Sequence, residues 1–316
     1  MGDSQGAAPQ SAPPRFAVPA VIAITVGIWS STWVVVAHGL DDLPPFTAAG
    51  VRFSLSAAIL LLIGGWLARK EGGTRAPLHL VVVQATCNFA VPYALTYHAT
   101  MALPSSLVAI LWALFPVCTA LTAPLLLPKE TFQARQWVAL LIAVAGVVLL
   151  FQTDLAQLQE QREGVVRSAL LLLLAPLLSA LGTGWIKRTG AQVSSTLLNR
   201  DGLVLAAALL MGCAWAFEGD LEVTWTRGAI GSILYLSLFG TVVTFGLYFW
   251  AVRYAPVWQL SMIALMTPGM ALILGSILRE EPITRWTLTG LGLILLGVVG
   301  VLRGARPARI SNQDTA

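Results

Sequence analysis

The sequence predicts an all-α polytopic membrane protein, ten transmembrane helices arranged as two inverted five-helix repeats. Three observations predict it. Of 316 residues, 57% are hydrophobic and 11% charged, less than half the roughly 25% charged share of a soluble domain, and mean hydropathy is +0.78. Ten apolar stretches follow one another, each near the ~20 residues a helix needs to cross about 30 Å of hydrocarbon. Landmarks in the first half recur about 150 residues later. This composition excludes soluble enzymes, nucleic-acid binders, disordered chains and disulfide-stapled modules.

The elements follow in chain order. Residues 1–16, rich in Pro, Ala, Gln and Ser, read as a disordered cytoplasmic N-terminus. The first apolar run is too long for a signal-peptide core and is followed by many like it, so it reads as a retained span. The ten spans fall at 17–37, 46–68, 78–99, 103–127, 134–151, 165–187, 195–217, 229–252, 255–278 and 286–303. Short connections such as HGLDDLPP and PKETFQARQ force sequence neighbours to lie antiparallel. Only 152–164 is long enough to be a linker, which divides the chain into repeats at 17–151 and 165–303, with 304–316 as a cytoplasmic tail. With the N-terminus inside, twelve basic residues fall on the inner side (Arg15, Arg69, Lys70, Arg75, Lys129, Arg135, Lys187, Arg188, Arg253, Arg303, Arg306 and Arg309). Five fall outside (Arg162, Arg167, Arg227, Arg279 and Arg285). The excess places both termini in the cytoplasm of a bacterial inner membrane. Cys87, Cys118 and Cys213 each sit in an apolar run, odd in number and without short spacing, and read as small buried hydrophobes.

The repeat rests on particular pairs. Pro104 and Pro116 recur as Pro256 and Pro268, both shifted by 152; Trp33 recurs as Trp185 with the same shift; Glu130 and Gly146 recur as Glu281 and Gly297, shifted by 151; Arg52 recurs as Arg200, shifted by 148. Because each half holds an odd number of spans, the second half enters the membrane upside down. Inverted repeats of this kind recur in secondary transporters, where a cavity between the halves faces the two sides in turn. Prolines at 92, 104, 116, 176, 256 and 268 would leave carbonyls without partners near such a cavity.

The paired segments LPSSLVAILWALFPVCTALTAPLLLPKETFQARQWVALLIAVAGVVLL and APVWQLSMIALMTPGMALILGSILREEPITRWTLTGLGLILLGVVGVL resemble EamA-type members of the drug/metabolite transporter superfamily. The shared hallmark is a Pro in the middle of the fourth helix, a Glu in the turn before the fifth and a Gly-Val-Val run near the fifth helix's end. TVGIWSSTWVVV and PPFTAAGVRFSLSAAILLL are similar to the family's Trp-bearing first and Arg-bearing second helices. The likeness covers 17–303; one departure is the lack of a Lys near the end of the first helix. It implies a ten-helix carrier of small organic solutes, generally an exporter of metabolites such as amino acids. Helices one to four of each half would enclose the cavity, with helices five and ten outside it.

Ionisable groups inside a bilayer are costly and mark candidate function. Arg52 and Arg200 lie early in the second helix of each half. Each is expected either to snorkel or bond carbonyls at neighbouring helix ends, or to hold an anionic group such as a substrate carboxylate or join a gate network. Asp201 points about 100° away from Arg200 and is not expected to pair with it. His98 sits near a span end and could titrate. The candidate cavity lining is Trp33, Asn88, Tyr93, Tyr97, Trp112, Trp185, Tyr248 and Gln259. Of these, Asn88 shares a helix face with Gln84, and Tyr93 shares one with Tyr97. Trp66, Trp137, Trp215, Trp225 and Trp286 fall at span ends and fit an interfacial belt.

Rival readings are a membrane receptor that does not transport and an intramembrane CAAX-type protease, whose leading motif E-E-x-x-x-R is spelled by Glu280, Glu281 and Arg285. Such proteases also need later histidines, and no His follows His98. Glu281 and Glu130 are expected to face the positive ends of the helices that follow them. No zinc-protease, nucleophile-elbow, P-loop or dinucleotide motif is present, so neither an enzyme nor a cofactor is expected. The partners expected are a small-molecule substrate and the lipid bilayer, with no nucleic acid and with a homodimer left open.

Overall fold

The computed structural model describes residues 14, 16–103, 105–130, 132–150, 162–279 and 285–304. Most of the expected N-terminal segment, linker and C-terminal tail, together with Glu280 and Glu281, lies outside the described residues. The chain is helical: α1 Ala17–Gly39, α2 Pro45–Glu71, α3 Leu78–Ala102, α4 Ser105–Trp112, α5 Phe115–Leu126, α6 Ala134–Leu150, α7 Arg162–Leu172, α8 Leu174–Thr189, α9 Ser195–Phe217, α10 Arg227–Tyr254, α11 Val257–Arg279 and α12 Arg285–Gly304. Among the described residues, seven helices are long and apolar enough to cross a membrane, and two shorter apolar helices lie at Ala134–Leu149 and Leu288–Arg303. Outward-facing Leu62, Leu78, Leu125 and Trp215 are exposed, as suits side chains whose solvent is lipid.

Two expected spans are broken in the middle, and proline is the cause in both. Pro116 cannot donate to the Trp112 carbonyl, and α4 ends at Trp112; Pro176 cannot donate to the carbonyl of Leu172, and α7 ends there. In α11, Pro268 leaves the Ala264 carbonyl free, and the Thr267 hydroxyl donates to it at 3.2 Å. Helices α3 and α10 each contain a π turn, at Gln84–Ala90 and Leu238–Val243, where the widened ladder turns carbonyls toward other partners.

Helix contacts come in reciprocal pairs. Helix α2 lies along α9 and α6 along α12; α1 packs on α10 and α11, while α8 packs on α3 and α5. Small residues set the approach. A Cβ added at Gly146 would stand 2.7 Å from the Gly290 carbonyl and 2.8 Å from the Ile294 amide, and one at Gly297 would stand 2.5 Å from the Ala139 carbonyl. Numbers rise on α6 as they fall on α12, so the two run antiparallel. Gly50 against Met211 and Gly64 against Arg200 give the same sense for α2 and α9.

Carboxylates cap this second pair at both ends. Glu71, at the end of α2, accepts from the amides of Ser195 (2.9 Å) and Thr196 (3.0 Å), the first turn of α9. Glu218, just past α9, accepts from the amides of Phe46 and Thr47, both at 2.7 Å, the first turn of α2. Each carboxylate answers the positive end of the helix beside it. At the Glu71 end, Gly72 and Gly73 take positive φ (73° and 99°). That conformation favours glycine, and it turns the chain so that Thr74 bonds the Gln192 carbonyl and the Ser194 amide.

Glu130 behaves otherwise than the sequence suggests. Its carboxylate accepts from the Val257 amide at 2.7 Å, opening α11 rather than α6, and stands 3.7 Å from the Lys187 ammonium. The start of α6 is served by Gln136, whose side chain accepts from the Gln133 amide. Spacing along the chain places an acid near its own next helix, and tertiary packing brought a different helix start closer.

Candidate functional site

A cavity of about 100 Å³ lies within the bundle, walled by side chains from α1 to α5, α8, α10 and α11. Helices α6 and α12 contribute none of its described lining, and neither does α9. Both halves of the chain supply wall residues, because α1 inserts against α10 and α11 and α8 against α3 and α5.

One side of the wall is aromatic. Trp33 and Trp112 lie 6.4 Å apart between ring centroids, and Trp29 lies 5.7 Å from Tyr248. The Trp29 indole donates to Thr244 Oγ1 and that of Trp112 to Thr96 Oγ1, both at 2.9 Å, so these two rings are held in fixed orientation. Trp33 Nε1 and the Tyr248 hydroxyl are buried without a hydrogen-bond partner among the described residues.

A second part of the wall is a relay of amides. Asn199 Nδ2 donates to the Phe245 carbonyl (3.1 Å), Gln84 Nε2 to Asn199 Oδ1 (2.7 Å), Asn88 Nδ2 to Gln84 Oε1 (3.0 Å), and Thr183 Oγ1 to Asn88 Oδ1 (3.1 Å). All four side chains are buried, and each amide finds a partner, as burial requires; the Asn88–Gln84 bond lies within α3 and the other three cross between helices. The relay ties α10, α9, α3 and α8 together and brings Asn88 and Thr183 to the cavity surface.

Arg52 completes the wall. It is 1% exposed. Its Nε donates to Thr241 Oγ1 (2.9 Å), Nη1 to the Tyr97 hydroxyl (3.2 Å) and Nη2 to the Gly240 carbonyl (3.0 Å). The Tyr93 ring covers the guanidinium at 4.8 Å, within cation–π range. Arg52 therefore neither snorkels nor reaches a helix end. The carbonyl it bonds belongs to the π turn within α10.

Several expected residues stand elsewhere. Trp185 is 40% exposed and off the cavity wall, although its repeat mate Trp33 lines it. Gln259 is half-buried in the first turn of α11, also off the wall. His98 is exposed, with its ring against Phe46 at 4.5 Å. Arg200 and Asp201 do pair, at 2.7 Å, and Asp201 also holds Arg75 at 3.2 Å. The 100° between neighbouring Cβ atoms is bridged by the long arginine stem curling back. Asn88, Tyr93, Tyr97, Trp112 and Tyr248 share the wall with Trp33 and Arg52.

Residues 18–152 and 166–303 each match the EamA-like transporter family. The chain belongs to the EamA-like transporter family. Relatives include Protein PagO of Salmonella typhimurium, 27% identical over 252 residues (78% of this chain, 80% of that one). The uncharacterized transporter YoaV of Bacillus subtilis is 24% identical over 281 residues (88% and 94%). The uncharacterized inner membrane transporter YedA of Escherichia coli K12 is 26% identical over 284 residues (88% of each). A solved crystal structure superposes with TM-score 0.73 at 17% identity, covering 91% of this chain and 96% of its own, which establishes the fold. As an EamA-like protein the chain is a multi-pass membrane transporter and not an enzyme.

Sequence reading did not list Thr96, Ser179, Thr183, Phe245 or Phe249 as site residues of this EamA-like chain, though all line the cavity. A faint signal existed for two of them. Ser179 and Thr183 are four residues apart, on one face of α8, in an otherwise apolar run after Pro176.

Proposed function

We propose that the chain is a secondary transporter exporting small organic metabolites, amino acids and related compounds, across the inner membrane by alternating access, with both termini cytoplasmic. The observation that carries this reading is one cavity in the bundle, walled by both halves of the chain and bounded by aromatic rings and satisfied amides. Ligand sites of transporters lie at such repeat interfaces. Two inverted five-helix repeats are supported by the exchange of partners in every major contact: α1 with α10 and α11 is mirrored by α8 with α3 and α5. They are supported too by the reciprocal Glu71 and Glu218 caps. The twelve-to-five distribution of basic residues supports the orientation.

The test is reconstitution of the purified chain in proteoliposomes, with radiolabelled amino acids and other small metabolites offered with and without a pH gradient. Uptake of at least one compound above empty liposomes, sensitive to Trp112→Ala, is expected. Failure of every compound to exchange, even in counterflow, would overturn the transport reading.

A further inference from the structure

Among the described residues lining the cavity, Arg52 carries the one formal charge: no Asp, Glu, Lys or His stands on that wall. Its hydrogen-bond partners, Thr241, Tyr97 and the Gly240 carbonyl, are all neutral. Dipoles and a ring face orient toward the guanidinium and lower the cost of its burial, but they cancel none of its charge. A buried charge in a low-dielectric setting acts over a longer range than one in water, so the cavity is electropositive.

The unmet polar groups point the same way. Among the described residues, the hydroxyl of Tyr248, 4% exposed, has no hydrogen-bond partner, and neither has the buried Trp33 Nε1. An indole N–H can only donate. Both side chains line the cavity; the indole calls for an acceptor, and the hydroxyl is able to donate to the same one. A ligand ammonium would meet no carboxylate anywhere on this wall.

We propose that the cavity is a site for small organic carboxylates, the anionic end drawn toward Arg52 and the apolar body lying against Trp33, Trp112 and Tyr248. This rests on the transport reading of the same cavity and adds its charge selectivity: anions are held ahead of zwitterions, and zwitterions ahead of amines.

Three probes of one shape and different charge decide it: 3-phenylpropanoate, phenylalanine and phenethylamine, titrated calorimetrically into the full-length chain in lipid nanodiscs. The propanoate binds tighter than the amine by about tenfold or more, as a charge-assisted hydrogen bond would give, with phenylalanine between them. Arg52→Gln removes that preference by weakening the propanoate alone, and Arg52→Lys retains part of it. Equal or tighter binding of the amine, an equal loss for all probes in Arg52→Gln, or binding of none of them would overturn the proposal. Should the Arg52 variants not fold, the wild-type series together with Tyr248→Phe, expected to weaken the propanoate more than the amine, decides alone. Counterflow in proteoliposomes separates the two readings. Propanoate that binds but is never exchanged removes transport and leaves the site, while flux confined to the amine removes the site's selectivity and leaves transport.

Discussion

Glu71 and Glu218 perform the same local task at opposite ends of the α2–α9 pair, yet their surroundings differ. Glu71 also meets the Arg253 guanidinium and the hydroxyls of Ser194 and Ser195, whereas Glu218 adds only the Thr47 hydroxyl. Glu218→Gln, a weakened cap, is expected to cost about 1 kcal/mol. Glu71→Gln also removes a charge-assisted bond and is expected to cost about 2–3 kcal/mol. Thermal unfolding in detergent checks the order of the two Tm values, and equal shifts would mean that the Arg253 contact adds nothing. Glu130 yields a pH effect. Burial pushes its carboxyl above the ordinary value of 4.5, against the pull of the Lys187 ammonium and the amides of Val257 and Trp258. A carboxyl with a raised value in the folded chain holds its proton there after the unfolded chain has lost it. Its contribution to stability is therefore complete below 4.5 and is lost as pH climbs from there through the raised value. Glu130→Gln should flatten that part of the profile of Tm against pH; an unchanged slope would assign it to another group.

At the scale of elements, the α6–α12 contact tests whether close approach of small residues holds the outer pair together. Gly146→Ala and Gly297→Ala each push a methyl into the facing backbone and are expected to cost about 1–3 kcal/mol, the range for overpacking. Gly292→Ala, on the same helix but with nothing within 4 Å of its added carbon, should be neutral or gain a few tenths of a kcal/mol from helix propensity, within the ~1 kcal/mol Gly-to-Ala difference. Tm values for the three variants decide, and a Gly292 variant as damaged as the others would refute the packing argument. The helical, membrane-spanning character of the chain was legible in the sequence, because a bilayer imposes one length on its spans, and so were the prolines at which two of them break. Register across helices was not. Glu130 serves α11 because of where α5 ends in space, and the π turn that holds the Gly240 carbonyl bonded by Arg52 leaves no residue pattern to read. For the candidate site, polar and aromatic residues in apolar runs pointed to Asn88, Tyr93, Tyr97, Trp112 and Tyr248, which line the cavity. They could not tell Trp33 from Trp185, since identical repeat positions carry no information about which copy faces inward.

Among the described residues of the whole molecule, the charges that join one half of the chain to the other are unevenly placed. At the Glu71 end, Glu71 meets Arg253, Arg75 meets Asp201, and Glu130 faces Lys187. Lys187 also donates to the carbonyls of Val252 and Ala255 at 2.7 and 2.6 Å, tying α8 to the α10–α11 corner. At the Glu218 end the cross-links among the described residues are a carboxylate on backbone amides and Asp42 on the Thr226 hydroxyl, and the contact between His38 and Asp41 stays within one turn and is exposed. Charged pairs across a boundary resist separation more than neutral hydrogen bonds do. The bolted end should therefore be the closed one, with the cavity communicating more readily toward Glu218. In a background with Cys87, Cys118 and Cys213 changed to Ser, Val36→Cys places one thiol on the cavity wall near that end. A membrane-impermeant maleimide should label it faster when applied from the Glu218 side than from the Glu71 side. Adding Glu71→Gln and Lys187→Gln should raise labelling from the Glu71 side several-fold, because those substitutions weaken the bolts without touching the cavity. If the double variant leaves both rates unchanged, the charge pairs are struts, and the barrier to opening lies in the apolar packing between Phe249, Leu260 and Ile263, which line the cavity wall between that end and the aromatic rings.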